Sequence, residues 1–238
     1  MHKPRKFVDI VIPFNNEYQN LQILLPKILK VIKKIKFLKF RLVFVDDGSV
    51  DGGYIIIGKF KKKYKHIFLL KNKKNFGQTH CYVNYFKRFK MDYFIRMDAD
   101  NQDNPKYLLQ ISKFISEDYD LILTERKLRK HSLYMIILTF LYNKLIAILV
   151  KKRLKNYSSS MACFRKKFLS KRNLKYNDHR YLPIISIENG AKKIKTFNVV
   201  HEKRKFGFTK YGMIKKVFFA LPEFIYFFYR LKIGCFKI

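Results

Sequence analysis

Acidic side chains are scarce: 17 Asp and Glu stand against 52 Lys and Arg among 238 residues, a formal net charge of +35. An imbalance of that size points to anionic partners, whether nucleic acid, acidic lipid or a phosphorylated substrate. Lys, Ile, Asn, Phe and Tyr are all frequent, and an AT-rich genome yields the same bias without selection for binding. Either origin leaves a surface attracted to anionic membranes, at roughly 1 kcal/mol per basic residue near the bilayer. Cysteine is sparse too. Cys81, Cys163 and Cys235 make no C-x-x-C and no pairing pattern. That argues against a disulfide framework and a zinc site, and fits a reducing compartment. The opening Met1 to Phe7 runs straight into a strand and lacks the apolar region of a secretory signal. No internal repeat or low-complexity linker occurs. Apolar residues are plentiful, at 48%, enough for the core of one large α/β domain or two small ones.

Strand and helix patterns alternate through the first half. Apolar runs predict strands at Phe7 to Pro13, Arg41 to Val45, Ile67 to Leu70, Tyr93 to Met97 and Tyr119 to Thr124. Helical spacing falls at Leu21 to Ile35, Asp51 to Tyr64, Gly77 to Phe89 and from Pro105 through Phe114. This order predicts an α/β fold with a mostly parallel central sheet flanked by helices, whose ligands gather at the carboxyl ends of the strands. Every polar cluster lies at such an end: Asn15-Asn16-Glu17, Asp46-Asp47, Asn75 and Asp98/Asp100. The last pair is the most informative. Side chains one residue apart in an extended segment lean the same way, so Asp98 and Asp100 can share a hard divalent cation, Mg²⁺ or Mn²⁺, which in turn bridges phosphates. Alone, a D-x-D after a strand also reads as a solvated turn.

The second half differs. Leu133 to Val150 is almost wholly apolar but carries Asn143-Lys144, and reads as an amphipathic helix lying in a membrane interface or as a buried core helix. Ser158 to Phe164 and Ile194 to Val200 are further strand candidates. Val217 to Phe228, rich in Phe and Tyr among basic residues, also suits an interfacial helix.

Taken together, the motifs resemble the family 2 glycosyltransferases of GT-A (Rossmann-like) fold, over about residues 7 to 212. The nearest branch is that of the dolichol- and polyprenyl-phosphate sugar synthases. Val11-Ile12-Pro13-Phe14-Asn15-Asn16-Glu17 is similar to V-I-P-x-x-N-E. Val45-Asp46-Asp47-Gly48-Ser49-Val50-Asp51-Gly52 is similar to V-D-D-G-S-x-D-G, and Asn75-Phe76-Gly77 to N-x-G. Asp98 to Pro105 resembles D-A-D-L-Q-x-x-P, with Asn101 standing in place of Leu. The resemblance implies a nucleotide-sugar site lined by Pro13, Asn15, Glu17, Asp46, Asp47, Asn75, Gly77, Asp98 and Gln102, with the metal on Asp98 and Asp100. Acids suit the base and ribose because those groups offer donors.

His201 to Gly212 is similar to the R-x-x-G-x-S-K-Y-G signature of the polyprenyl-phosphate branch, Thr209 keeping the hydroxyl. Asp178-His179-Arg180-Tyr181-Leu182-Pro183 resembles an H-R-[FY]-[IL]-P element of some bacterial members, and Tyr157 to Arg165 resembles D-x-x-S-G-F-R-x. The resemblance assigns acceptor phosphate to His179, Arg180, Arg204 and Lys210, and catalytic roles to Asp100, Arg126, Arg204 and Lys210. A lipid phosphate is already anionic near neutral pH and needs cations, whereas a sugar hydroxyl needs a carboxylate base. Asp178 is the one tempting base.

The expectation is a peripheral enzyme at the cytoplasmic face of the membrane. It would transfer a hexose from a UDP- or GDP-sugar to polyprenyl phosphate, with inversion and with Mg²⁺ or Mn²⁺. Residues 1–212 would form the catalytic domain, with a nucleotide-sugar half to about 130 and an acceptor half from about 131. Residues 213–238 would form an apolar, basic membrane-associating tail. A glycosyltransferase extending a surface polysaccharide through a sugar hydroxyl is the alternative. Nucleic acid is not an expected partner, because the aromatics lie in apolar runs and the acidic strand ends repel a phosphate backbone.

Overall fold

Strand β1 (Phe7–Phe14) is apolar at nearly every position because both of its faces are covered. A computed structural model describes residues 5–127, 144, 159–169, 174–202, 206 and 213–238. After β1 come α1 (Tyr18–Ile32), β2 (Lys39–Asp46), α2 (Gly53–Lys63), β3 (Ile67–Lys71), α3 (Gln78–Arg88), β4 (Tyr93–Arg96), α4 (Tyr107–Ser116) and β5 (Leu121–Lys127). Beyond them lie β6 (Ala162–Arg165), a 3-10 turn at Asp178–Tyr181, α5 (Leu182–Glu188), β7 (Ile194–Val200) and α6 (Met213–Lys232). The sheet order is β3-β2-β1-β4-β6-β5-β7. Among the described strands, β6 alone runs antiparallel, against both β4 and β5.

Side-chain alternation splits the core into two layers. Val8, Ile10 and Ile12 pack beneath α1, α2 and α4 with Leu21, Leu24, Ile57 and Leu108. Val11, Val43, Val45 and Phe94 face the other way, against α3, α5 and α6. Asp9 lies fully buried in that second layer. Arg41 reaches its two oxygens at 2.7 and 2.8 Å, and Tyr85 Oη donates to it at 2.8 Å.

The strand–helix alternation of the first half appears as the sequence predicts, with small shifts at the ends. Pro105 sits in the turn ahead of α4 rather than in its first turn, and the expected strand at 158–164 is β6, which begins at Ala162. The segment Leu133 to Val150, apart from Lys144, lies outside the described residues.

The tail packs into the fold through part of its surface. Phe224, Phe227, Phe228 and Phe236 are buried. Phe227 stacks on Tyr181 with ring centroids 4.1 Å apart and planes at 20°. Burying a Phe contributes about 1.5–3 kcal/mol, so α6 is held by its inner face. Arg230 Nη1 then meets Asp178 Oδ2 at 2.7 Å, with both side chains buried.

Candidate active site

Parallel strands β1, β2, β3 and β4 all end at one edge, and their loops meet there. The first two loops are laced together. Asn15 Nδ2 donates to the Asp47 carbonyl at 2.9 Å, and the Asn16 backbone N–H donates to Ser49 Oγ at 3.0 Å. The Tyr18 N–H donates to Asp51 Oδ2 at 2.7 Å. Pro13 lies buried next to Phe14 at the end of β1, just before this lacing. Glu17 accepts from Asn20 Nδ2 at 2.6 Å. It borders a cleft of about 290 Å³ with Asn16, Tyr18, Gln19, Asn20, Asp51 and Phe206.

The adjacent carboxylates Asp46 and Asp47 have different duties. Asp47 accepts from Asn72 Nδ2 at 2.8 Å, from the Phe76 N–H at 3.0 Å and from the Gly77 N–H at 2.8 Å. Its oxygens therefore hold the loop after β3 in place. Asp46 accepts from the Ser49 N–H at 2.8 Å through Oδ1, while its buried Oδ2 has no hydrogen-bond partner. A buried orphan of this kind marks a place where a ligand donor can sit. Gly48 is required by space as well as conformation: φ is +73°, and a Cβ would stand 2.6 Å from the Lys74 carbonyl carbon. Gly77, at φ 87° and ψ 164°, opens α3 in a conformation only glycine adopts freely. Asn75 is exposed, and its Oδ1 accepts from the Gly77 N–H at 3.2 Å.

Past β4 the chain turns sharply at the two central acids. Asp98 and Asp100 are half-buried. Gln78 Nε2 donates to Asp98 Oδ1 at 3.1 Å, and the Gln102 N–H donates to Asp100 Oδ1 at 3.1 Å. Burial first, then the charges of Asp100 and Asp103, push the Asp98 carboxyl up to about 6, against the opposing pull of Arg96. Like charges so crowded favour a bound cation. The donor set fits Mg²⁺ or Mn²⁺, since both take carboxylate oxygens and leave positions for phosphate and water. Among the described residues no group of three or more His, Cys, Asp and Glu side chains converges on one point. Asn101, between Asp100 and Gln102, has φ +59° and is buried. Its Nδ2 donates to the Asn20 carbonyl at 2.7 Å and to Asn20 Oδ1 at 3.2 Å. Asn tolerates this left-handed backbone better than Leu does, so the departure from the family pattern has a local reason.

Because β7 runs parallel to β5, its end arrives at the same edge. Asp103 and His201 form an isolated antiparallel bridge, and the Glu202 N–H donates to the Gln102 carbonyl at 2.9 Å. Asn104 Nδ2 donates to Glu202 Oε1 at 2.7 Å. The start of the basic segment is thus pinned to the carboxylate turn. Arg204 and Lys210 fall outside the described residues, as do Asn156 to Ser158. Arg126 is half-buried near the end of β5, and its charge acts on Asp103.

His179 and Arg180 are unlike each other. His179 is buried, with Nδ1 2.8 Å from Thr79 Oγ1. Burial, then Arg96 and Arg180, hold its pKa well below the ordinary value, so the ring is neutral. Arg180 is exposed and lies 3.9 Å from Glu223. Asp178, the tempting base, accepts from the Lys175 N–H at 2.7 Å and pairs with Arg230. It is a structural acid.

Sequence reasoning missed Asn20, Gln78, Asp103, His201 and Glu202 as parts of this edge. Asp103, His201 and Glu202 lay in view inside quoted motifs, whereas Asn20 and Gln78 gave no local signal.

A seven-stranded, mostly parallel sheet with a D-x-D turn at its carboxyl edge defines a GT-A glycosyltransferase. The profile described as Glycosyl transferase family 2 matches residues 9–172, and the chain belongs to that family. It is 27% identical over 213 residues to the undecaprenyl-phosphate 4-deoxy-4-formamido-L-arabinose transferase of Photorhabdus laumondii, an alignment covering 89% of this chain and 65% of that protein. The same-named protein of Pectobacterium atrosepticum is also 27% identical, with 89% and 64% covered. The chain thus spans just under two thirds of the length of these relatives. Among solved structures, a glucosyl-3-phosphoglycerate synthase of Mycobacterium tuberculosis, bound to Mn²⁺, UDP and glucosyl-3-phosphoglycerate, superposes with a TM-score of 0.64 at 12% identity, covering 98% of this chain and 81% of that one. A mannosyltransferase of Pyrobaculum calidifontis in complex with GDP-mannose and Mn²⁺ gives 0.59 at 15% identity, covering 86% and 59%. At these identities the likeness is one of fold.

Proposed function

We propose that this chain transfers a glycosyl group from a UDP- or GDP-sugar to polyprenyl phosphate at the cytoplasmic face of the membrane, with inversion at the anomeric carbon. The named relatives take a modified arabinose, so the donor sugar is a hexose or such a pentose. The observation that carries the reading is the sorting of charge at one sheet edge. The acids Glu17, Asp46, Asp98 and Asp100 gather there, with Asp103 and Glu202 beside them, and the cations Arg126 and Arg180 stand at the flanks, next to Asp103 and Glu223 respectively. The acid that a hydroxyl acceptor would recruit, Asp178, is locked to Arg230 at 2.7 Å.

Asp46 Oδ2 and Glu17 accept donors of the nucleoside, beside Pro13 and Asn15. Asp47 orients the Asn75–Gly77 loop by its hydrogen bonds from the Phe76 and Gly77 N–H groups and shapes the pocket wall. Asp98 and Asp100, with Gln102 beside them, hold Mg²⁺ or Mn²⁺, whose chemistry is to neutralise the diphosphate as it departs. The acceptor phosphate oxygen attacks the anomeric carbon in line with the breaking bond to the diphosphate oxygen. One C–O bond forms as the other breaks, and no proton need move. Arg126, Arg180, Arg204 and Lys210 hold the acceptor phosphate and offset charge on the leaving group, while neutral His179 contributes through position.

Calorimetric titration of UDP and GDP in Mn²⁺ tests the donor half. One nucleotide binds, and Asp98→Asn and Asp46→Asn each weaken it about tenfold or more, as for loss of a charged hydrogen bond. Wild-type protein that binds neither nucleotide contradicts the reading.

A further inference from the structure

Helix α6 is apolar on both sides. Its inner face is the buried Phe224, Phe227 and Phe228, and Arg230 is locked to Asp178. Its outer face repeats at three- and four-residue spacing through Pro222, Ile225, Tyr226, Tyr229, Lys232 and Ile233, all exposed. Ile225 is 61% exposed, Tyr229 60% and Ile233 58%. A helix hydrophobic all round is ordinarily buried all round, so this second stripe calls for a partner. It is extended by Tyr176, whose ring meets Tyr226 edge-on with centroids 5.9 Å apart. Lys175, Arg180, Lys232 and Lys237 are exposed on the same two segments. The one acid among them, Glu223, is taken by Asn177 at 2.7 Å and lies near Arg180.

We propose that this outer face of α6, with Tyr176, is the seat by which the protein rests on an anionic bilayer. The proposal rests on the lipid-acceptor reading above and names the surface that serves it. Tyrosine rings flanked by lysines suit the headgroup boundary: the ring settles among the upper acyl carbons and the hydroxyl stays wet. Exposed cations around the stripe complement anionic lipid. A second copy of the chain fits the same stripe poorly, because two molecules of charge +35 repel each other. Among the described residues no helix is long and apolar enough to cross a membrane, so the contact is one of lying on the surface.

The seat is rigidly keyed to the catalytic edge. Asp178 fastens Arg230, and Tyr181 stacks on Phe227. Between them His179 contacts Thr79, the residue after Gln78, which itself donates to Asp98. One short turn therefore connects the α6 face to the carboxylate edge and carries the exposed Arg180, which a lipid-borne phosphate would meet.

The chain contains no Trp, which makes a single-Trp experiment clean. Tyr229→Trp is compared with Phe37→Trp, which substitutes an exposed ring at the opposite edge of the sheet, just before β2. Vesicles contain phosphatidylglycerol and brominated phosphatidylcholine in equal parts, or brominated phosphatidylcholine alone. The expected result is blue-shifted, bromine-quenched emission from Tyr229→Trp with the anionic vesicles only, and unquenched emission from Phe37→Trp. The double variant Tyr226→Ser, Tyr229→Ser keeps every cation and loses vesicle partitioning by about tenfold or more. Equal quenching at both positions, or wild-type partitioning by the double variant, overturns the proposal. So does a concentration-dependent dimer that the double variant abolishes. Transfer to polyprenyl phosphate in detergent is measured separately. Product without docking refutes the seat alone, and docking without product refutes the acceptor reading alone.

Discussion

At the scale of single residues, the edge of the sheet separates groups that hold the pocket from groups left to hold a ligand. Asp47 spends its oxygens on Asn72, Phe76 and Gly77, whereas Asp46 keeps a buried oxygen unpaired. Two neighbouring, chemically identical acids thus differ in role, and nothing in the dipeptide distinguishes them. Gly48 gives a sharp test. Gly48→Ala meets the Lys74 carbonyl carbon at 2.6 Å at positive φ, whereas Gly52→Ala, also at positive φ, finds nothing nearer than 3.8 Å. The first change costs about 2 kcal/mol or more and the second about 1 kcal/mol, read as midpoints of chemical denaturation. Equal losses would mean that the close approach of the two loops is wrong. Asn101→Leu, which restores the family residue, loses both hydrogen bonds to Asn20 and strains the left-handed backbone. We expect it to lower stability by about 1–3 kcal/mol in the same assay.

At the scale of elements, the 3-10 turn at Asp178–Tyr181 joins α6 to the active edge. Asp178→Asn strands a buried Arg230 and is expected to cost about 3–5 kcal/mol. Turnover per folded molecule should survive. Lost turnover at unchanged stability would return Asp178 to the role of base and favour a hydroxyl acceptor. His179 adds a pH dependence. Its pKa is held below the ordinary 6.5 by burial and by Arg96 and Arg180. The unfolded chain therefore takes up a proton first, so stability is full above about 6.5 and falls as pH drops toward the lowered native value. Thermal melts from pH 7.5 down to 5 should show this fall, and His179→Asn should flatten it. The parallel elements of the first half were legible because each is a local apolar run closed by a polar motif. The antiparallel pairing of β6 with β4 and β5, the bridge from Asp103 to His201 and the buried pair of residues 178 and 230 were not. Each joins positions far apart in the chain, and no local period encodes such a contact. The aromatic composition of the tail suits a core and a bilayer equally, and only its packing shows that Phe224, Phe227 and Phe228 lie on the inner face.

At the scale of the molecule, the proposed donor acids and the outer face of α6 are connected through the Asp178–Tyr181 turn. The fold and its clustered polar strand ends were visible in the sequence. The proposed acceptor side rests on resemblance, because lone cations carry no positional pattern in so basic a chain. The central claim is transfer to a lipid phosphate, and it is tested most directly with purified protein, Mn²⁺ or Mg²⁺, labelled UDP- and GDP-sugars and polyprenyl phosphate. The account predicts organic-extractable label that depends on the lipid, vanishes on chelation of the metal and falls to background in Asp100→Asn. Label that stays in the aqueous phase, or moves only to a saccharide hydroxyl, would contradict it.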